Sequence, residues 1–253
     1  MKRLLPLLAL VALAGCGDSG GKTTSSATTS QVTTVTSTAE TRPVSLDLFF
    51  LQKGKVAAVH REARTSKSPL LTAIEQLAVG PTSSERAAGL TSEMPTRLGF
   101  QATVQGGIAD VSLSAGLSRP ALAQLTYTLT QLGNVRGVRV GGKTYKTGDF
   151  EGLAPAILIE SPSFGEAVRS PVRVTGTANT FEATFTLELR TGGRLLGQKT
   201  VTATSGSGAR GTFAATFTYS VSEETRGELR AYELSAQNGK RINTVSVPIS
   251  LLP

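Results

Sequence analysis

The sequence predicts two folded parts in series. The first is an α+β domain of order β-β-α-β-β-α-β, with its helices on one face of a small sheet. The second is an all-β sandwich. Three observations carry this reading. Residues 43–145 alternate extended runs with two Pro-opened stretches of helical spacing. Residues 156–253 hold no helical stretch, only short alternating runs separated by turn residues. Between them "KTGDFEGLAP", residues 146–155, carries Gly148, Gly152 and Pro155 and reads as a linker.

The first domain opens with "VSLDLFFLQKGKVAAVHREA", two strands turning at Gln52–Lys55. Val44, Leu46, Leu48 and Phe50 alternate onto one face. Ser68-Pro69 opens a helix, with Ser as the N-cap and Pro in the first turn. Leu70, Leu71, Ile74, Leu77 and Ala78 form its apolar side, and Gly80-Pro81 ends it. "LGFQATVQGGIADVSLS" predicts a hairpin about Gly106-Gly107. Ser118 and Pro120 open a second helix, where Leu122, Leu125, Leu129 and Leu132 make one buried stripe before Gly133-Asn134. "VRGVRV" closes the domain as a strand.

In the second domain "FEATFTLELR" sets Phe181, Ala183, Phe185, Leu187 and Leu189 against Glu182, Thr184, Thr186, Glu188 and Arg190. That alternation predicts one buried and one solvated face. "GTFAATFTYS" repeats it with Phe213, Ala215, Phe217 and Tyr219. Further strands are predicted at 157–160, 171–177, 194–203, 228–236 and 242–251. About seven short strands with this spacing suggest an immunoglobulin-like sandwich. Its core must rest on Phe, Val and Leu, because the chain has no Trp and one Cys.

The N-terminus has a different character. Lys2 and Arg3 precede an apolar run from Leu4 to Ala14, which has the layout of a secretory signal peptide and is too short to span a bilayer. Leu13-Ala14-Gly15-Cys16 resembles the bacterial lipobox. The resemblance implies cleavage after residue 15 and acylation of Cys16, with thioether-linked diacylglycerol and further acyl chains of the palmitate kind. Several chains anchor a protein firmly where one does so marginally. Lipidation consumes the only thiol, so a disulfide, a zinc-thiolate site and a cysteine nucleophile are excluded. Residues 16–42, mostly Thr and Ser, bury almost nothing and read as a disordered tether. The domain boundaries are therefore 1–15, 16–42, 43–145, 146–155 and 156–253.

Two family resemblances follow. "SPLLTAIEQLAVGPT", "SEMPTRL", "ATVQGGIADVSLSAGL" and "VRGVRVGGKTY" resemble the GerMN domain of sporulation and spore-germination lipoproteins. "SPVRVTGTANTFEATFTLELRTGG" resembles the immunoglobulin-like domain of bacterial spore germination, through Ser-Pro-Val-x-Val-x-Gly-x-Ala-x-x-Phe-Glu-Ala. The pair implies an envelope protein of that kind. GerMN domains are also similar to ring-building modules, which implies self-association.

Chemistry is sparse. His60 is the only histidine, and it lies in a strand. It reads as an exposed strand residue. Asp47 and Asp110 are read as exposed strand or turn positions that could meet across the sheet. Glu182 is read as a surface residue. One His and no free thiol make a poor ligand set, so no metal, cofactor or catalytic site is expected. The Gly-Gly pairs are hairpin turns, since none opens a helix as a phosphate cradle must. The formal charge is +8. That charge reads first as a solvated surface with a mild excess of Arg; for an exported chain the anionic neighbours it would meet are lipid headgroups and wall polymers instead of nucleic acid. The expectation is a non-enzymatic, membrane-anchored lipoprotein on the extracytoplasmic face, acting as a protein-interaction or assembly module. The alternative is a lipoprotein that binds wall glycan or a solute.

Overall fold

Strand β1 (Arg42–Gln52) and strand β2 (Lys55–Thr65) form a long hairpin whose register pairs Asp47 with His60 and Phe49 with Ala58. They appear in a computed structural model that describes residues 40–253. The expected signal peptide, Cys16 and most of the expected tether lie outside the described residues. Residues 40–253 belong to one compact unit.

Helix α1 (Pro69–Val79) follows, with Ser68 as N-cap and Gly80 as C-cap. Then come α2 (Ser83–Ala87), β3 (Leu90–Thr91), the hairpin of β4 (Phe100–Gln105) and β5 (Ile108–Leu113), and α3 (Arg119–Leu129). Strands β6 (Gly137–Val140) and β7 (Lys143–Tyr145) close the domain. The α+β class and element order are as predicted, with α2, β3 and β7 added. The strands divide into two sheets, β2-β1-β3 and β4-β5-β6-β7. A shared core unites them. Leu48, Phe50 and Val59 from one sheet pack with Val111 and Val138 from the other, and with Ile74 and Leu77 of α1 and Leu125 and Leu129 of α3.

Helix α3 departs from a simple amphipathic stripe. Gln124, Thr126 and Thr128 are buried as fully as Leu125 and Leu129. Gln124 and Thr128 finish the edge of β1. The Phe49 N–H donates to Thr128 Oγ1 (2.8 Å), and Gln124 Nε2 donates to the Phe49 carbonyl (3.1 Å). A buried backbone group without a partner is costly, so the helix supplies side chains where no strand does.

Residues 146–155 are not an open linker. Thr147–Leu153 forms two 3-10 turns joined by a kink at Phe150, and Phe150 is fully buried. Phe150 sits with Phe49, Leu51, Val56, Ala58, Tyr127 and Leu158 in one apolar cluster. That cluster contains residues from both domains and from the segment between them. The Gly and Pro residues had the composition of a linker, but a single aromatic anchors the segment.

The second domain contains β8 (Ile157–Ser161), β9 (Ala167–Val168), β10 (Val172–Ala178), β11 (Thr184–Thr191), β12 (Arg194–Thr202), β13 (Gly211–Phe217), β14 (Thr225–Leu234) and β15 (Arg241–Leu251). Sheets β13-β10-β8 and β12-β11-β14-β15-β9 enclose a core of Val174, Phe185, Leu187, Leu189, Phe213, Phe217, Leu229 and Ile249. This is the predicted sandwich. Tyr219 donates from its hydroxyl to the carbonyls of Val168 and Leu252, tying chain segments at its rim.

Two residues of "FEATFTLELR" depart from the alternation. Phe181 is 66% exposed, because Phe181–Ala183 is a tight turn and the strand begins only at Thr184. Glu188 faces outward yet is buried under Tyr232, Arg190 and Arg241. Burial acts to raise its pKa, but those three donors outweigh it and hold the carboxyl below its usual value.

Candidate functional site

Period-two geometry gives the β1–β2 hairpin two very different faces. One face carries Leu46, Leu48 and Phe50 into the core of the first domain. Along the other face, the facing pairs are Leu51 with Val56, Phe49 with Ala58, Asp47 with His60, and Ser45 with Glu62. The first two pairs are apolar and join the cluster around Phe150. The last two are polar and continue the same face.

A loop of the second domain lies against this face. The Phe164 N–H donates to the Ala58 carbonyl (3.1 Å), and the His60 N–H donates to the Phe164 carbonyl (3.3 Å). The loop thereby adds one bridge to the edge of β2. It brings Ser163 and Glu166 beside Asp47 and His60. Ser163 Oγ donates to Asp47 Oδ1 (3.4 Å), and the Ser163 N–H donates to Glu166 Oε2 (2.9 Å).

His60 is thus half-buried and fully engaged, contrary to the expected exposed position. Its Nδ1 lies 3.1 Å from Asp47 Oδ1. Its Nε2 lies 3.2 Å from Ser45 Oγ and 3.6 Å from Glu62 Oε1. Asp47, His60 and Glu166 converge, each with a ligand atom within 4.8 Å of the others. Asp47 and Asp110 do not meet. Asp110 belongs to the other sheet and pairs with Arg139 at 3.1 Å.

Ser45, His60 and Asp47 stand in the order of a hydrolytic triad. Order alone does not make a nucleophile. Acyl transfer also needs donors converging near 3 Å on a developing oxyanion beside the serine. Ser45 is an exposed residue on a regular antiparallel strand, and its recorded partner is His60.

The second domain offers a feature of another kind. Glu182 and Ala183 both have left-handed backbones, with φ of 53° and 59°. Two successive non-glycine residues in that region are unfavourable and persist only when the surroundings impose them. Here the Phe181 N–H donates to Glu233 Oε1 (3.0 Å), and the Glu182 N–H donates to Ser207 Oγ (3.0 Å). The Ala183 N–H and the Ser207 N–H both donate to the Thr180 carbonyl. The result is a pinned turn with an exposed aromatic ring at its tip. Glu182 is exposed, as expected.

Residues 47–145 match the family model described as "Sporulation and spore germination". Residues 156–240 match the model described as "Immunoglobulin-like domain of bacterial spore germination". Among solved structures the chain is similar to the tandem GerMN domains of the sporulation protein GerM from Bacillus subtilis. That match has 20% identity and a TM-score of 0.33, and it covers 45% of this chain and 43% of that one. The chain therefore spans less than half the length of that structure. It is also similar to a 2.5 Å crystal structure of a Clostridium perfringens protein provisionally described as a lipoprotein. There the identity is 14% and the TM-score 0.27, with 44% of this chain and 90% of that one covered. No curated protein matches the chain.

Proposed function

This chain joins a sporulation and spore germination domain to the immunoglobulin-like domain of bacterial spore germination, and from that pairing we propose a non-enzymatic interaction module of the cell envelope. In this reading, acylated Cys16 holds the protein at the extracytoplasmic face of the membrane. The Thr-rich tether spaces the folded unit from the lipid, and the two docked domains present their surfaces to other envelope proteins. Among the described residues no helix is long and apolar enough to cross a membrane. Anchoring in this reading rests on the lipobox-like residues 13–16.

The observation that carries the interaction role is the Phe181 turn. Exposed aromatics on preorganised backbones are favoured anchors at protein interfaces, because little freedom is lost when they bind. The Phe-Glu-Ala of the family-like segment, residues 181–183, takes this local form.

In-cell cross-linking with mass spectrometry tests the proposal, using the intact chain, Phe181→Ala and Cys16→Ala. The intact chain is expected to capture a defined set of envelope proteins. Phe181→Ala is expected to reduce capture about tenfold or more, the scale of a hot-spot residue. Cys16→Ala is expected to lose capture through loss of the membrane. An unchanged captured set in both variants contradicts the proposal.

A second reading has one observation in its favour. A cleft of about 300 Å³ lies where the domains meet, lined by Val56, Leu158, Ile159, Phe164 and Val247 with Lys53 and Lys55. Its size is at the lower end of small-molecule sites. Capture of wall material alone would favour ligand binding here.

A further inference from the structure

Asp47, His60 and Glu166 converge from two domains, and we infer that they bind one divalent transition cation of the Zn²⁺ class at the seam between those domains. Each offers a ligand atom within 4.8 Å of the other two. Two ligands on one tetrahedral zinc, with bonds of about 2.0–2.2 Å, stand roughly 3.4 Å apart. The 3.1 Å between His60 Nδ1 and Asp47 Oδ1 is close to that spacing.

The surroundings match what a metal-bound imidazole requires. A ligating histidine donates its other ring N–H to a carboxylate or similar acceptor, which fixes the tautomer and the ring. With Nδ1 turned to the cation, Nε2–H faces Ser45 Oγ at 3.2 Å and Glu62 Oε1 at 3.6 Å. Glu166 is oriented in the same way. The Ser163 N–H holds its Oε2, and among the described residues its Oε1 has no hydrogen-bond donor. The loop that carries Glu166 is itself hydrogen-bonded to the His60 backbone through Phe164. Ligand and scaffold are therefore linked on both sides of the seam.

Charge gives an independent argument. Asp47, Glu62 and Glu166 surround a single imidazole. Among the described residues Asp47 and Glu62 form ion pairs only with His60, and Glu166 forms none with any cationic side chain. Three carboxylates sharing at most one positive charge repel one another, and a bound dication relieves that repulsion. The mixed nitrogen and oxygen set selects the metal class. Calcium and magnesium prefer six or more oxygen ligands, whereas imidazole with carboxylate suits zinc and its neighbours. Bound there, the cation cross-links the first domain to the second.

The lone histidine makes the test unambiguous. The full-length chain with Cys16→Ser, which removes the one thiol, is purified without a histidine tag and titrated with Zn²⁺ against a chelator of known affinity. One Zn²⁺ per chain is expected, with Mg²⁺ and Ca²⁺ failing to compete at a hundredfold excess. Glu166→Gln and His60→Ala should each weaken binding at least tenfold. The ¹⁵N resonance of the single imidazole should show metal at Nδ1 in the otherwise unaltered ring. Absence of stoichiometric binding, or binding that leaves the imidazole resonance and the Glu166→Gln affinity unchanged, overturns the inference. The ring resonance needs no mutation at His60, so it remains decisive even if that variant folds poorly.

Discussion

The Arg210 guanidinium holds the Glu151 carboxylate with two parallel bonds, Nε to Oε2 at 2.8 Å and Nη2 to Oε1 at 3.0 Å. Arg210 Nη2 also donates to the Pro155 carbonyl (2.7 Å), and Asn179 donates to Glu151 Oε1 (2.9 Å). The second domain thereby clamps the segment that joins it to the first. A paired guanidinium and carboxylate is directional as well as attractive, so it fixes orientation.

Arg210→Gln should lower stability by about 1–2 kcal/mol, less than for a fully buried pair because Glu151 is partly solvated. The Arg210 hydrogen bond is the main cause that holds the Glu151 carboxyl below its usual pKa. A depressed carboxylate contributes stability above its unfolded pKa and loses it as pH falls through the folded value. The gap between wild type and Arg210→Gln should therefore shrink as pH drops below about 4.5. Urea titrations at pH 7 and pH 3.5 check both statements. A gap that widens in acid would contradict the assignment.

Glu160 should behave in the opposite sense. Burial raises its pKa most, against a hydrogen bond from Thr177 and the charge of Arg210, while Asp47 adds to the rise. A carboxyl with a raised folded pKa supplies stability that is full below the unfolded value and is lost as pH rises through the folded one. Glu160→Gln has no charge to desolvate. It should match wild type near pH 4 and exceed it at pH 7, as thermal melts across that range would show.

Phe150→Ala should cost about 3–5 kcal/mol, the usual range for a large aromatic removed from a packed site. The ring is fully buried, lies 5.8 Å from Tyr145 and has Arg119 stacked on it at 5.3 Å. Chemical denaturation measures the loss. A change under about 1 kcal/mol would mean that residues 146–155 are a loose tether after all.

Gly206→Ala should disturb the Phe181 turn specifically. A Cβ at Gly206 would meet the Ala183 nitrogen at 2.5 Å and the Thr180 carbonyl oxygen at 2.6 Å, both backbone atoms. The expected cost is about 1–3 kcal/mol of overpacking. Amide shifts should concentrate at 180–183 and 203–208 in an NMR comparison, while shifts in the first domain stay put.

The elements were legible where one face is apolar and the other is not. Ser68 and Ser118 open the two predicted helices, and Gly106-Gly107 turns the predicted hairpin. The readings failed where a second surface intervenes. "LDLFFLQ" keeps its apolar run through Phe49 and Leu51, and that continuity signals burial on both faces of β1, because Tyr127 of α3, Phe150 and Leu158 of the second domain together cover one of them. Phe150, a lone aromatic among Gly and Pro, signals an anchored segment. The Asp47, His60 and Glu166 cluster was not legible. The first two meet through strand register, but Glu166 arrives only through a loop more than 100 residues further along the chain. Periodicity within either domain carries no trace of that meeting.

The central claim is that the two domains are one docked body, seamed by the Phe150 cluster, the Phe164 bridge and the Glu151–Arg210 pair. Residual dipolar couplings measured on the ¹⁵N-labelled chain from residue 40 onward test it most directly. The account predicts that amides of 43–145 and of 156–253 fit a single alignment tensor with the present domain orientation. Two tensors of different magnitude or direction would contradict it, and would mean that the domains move independently.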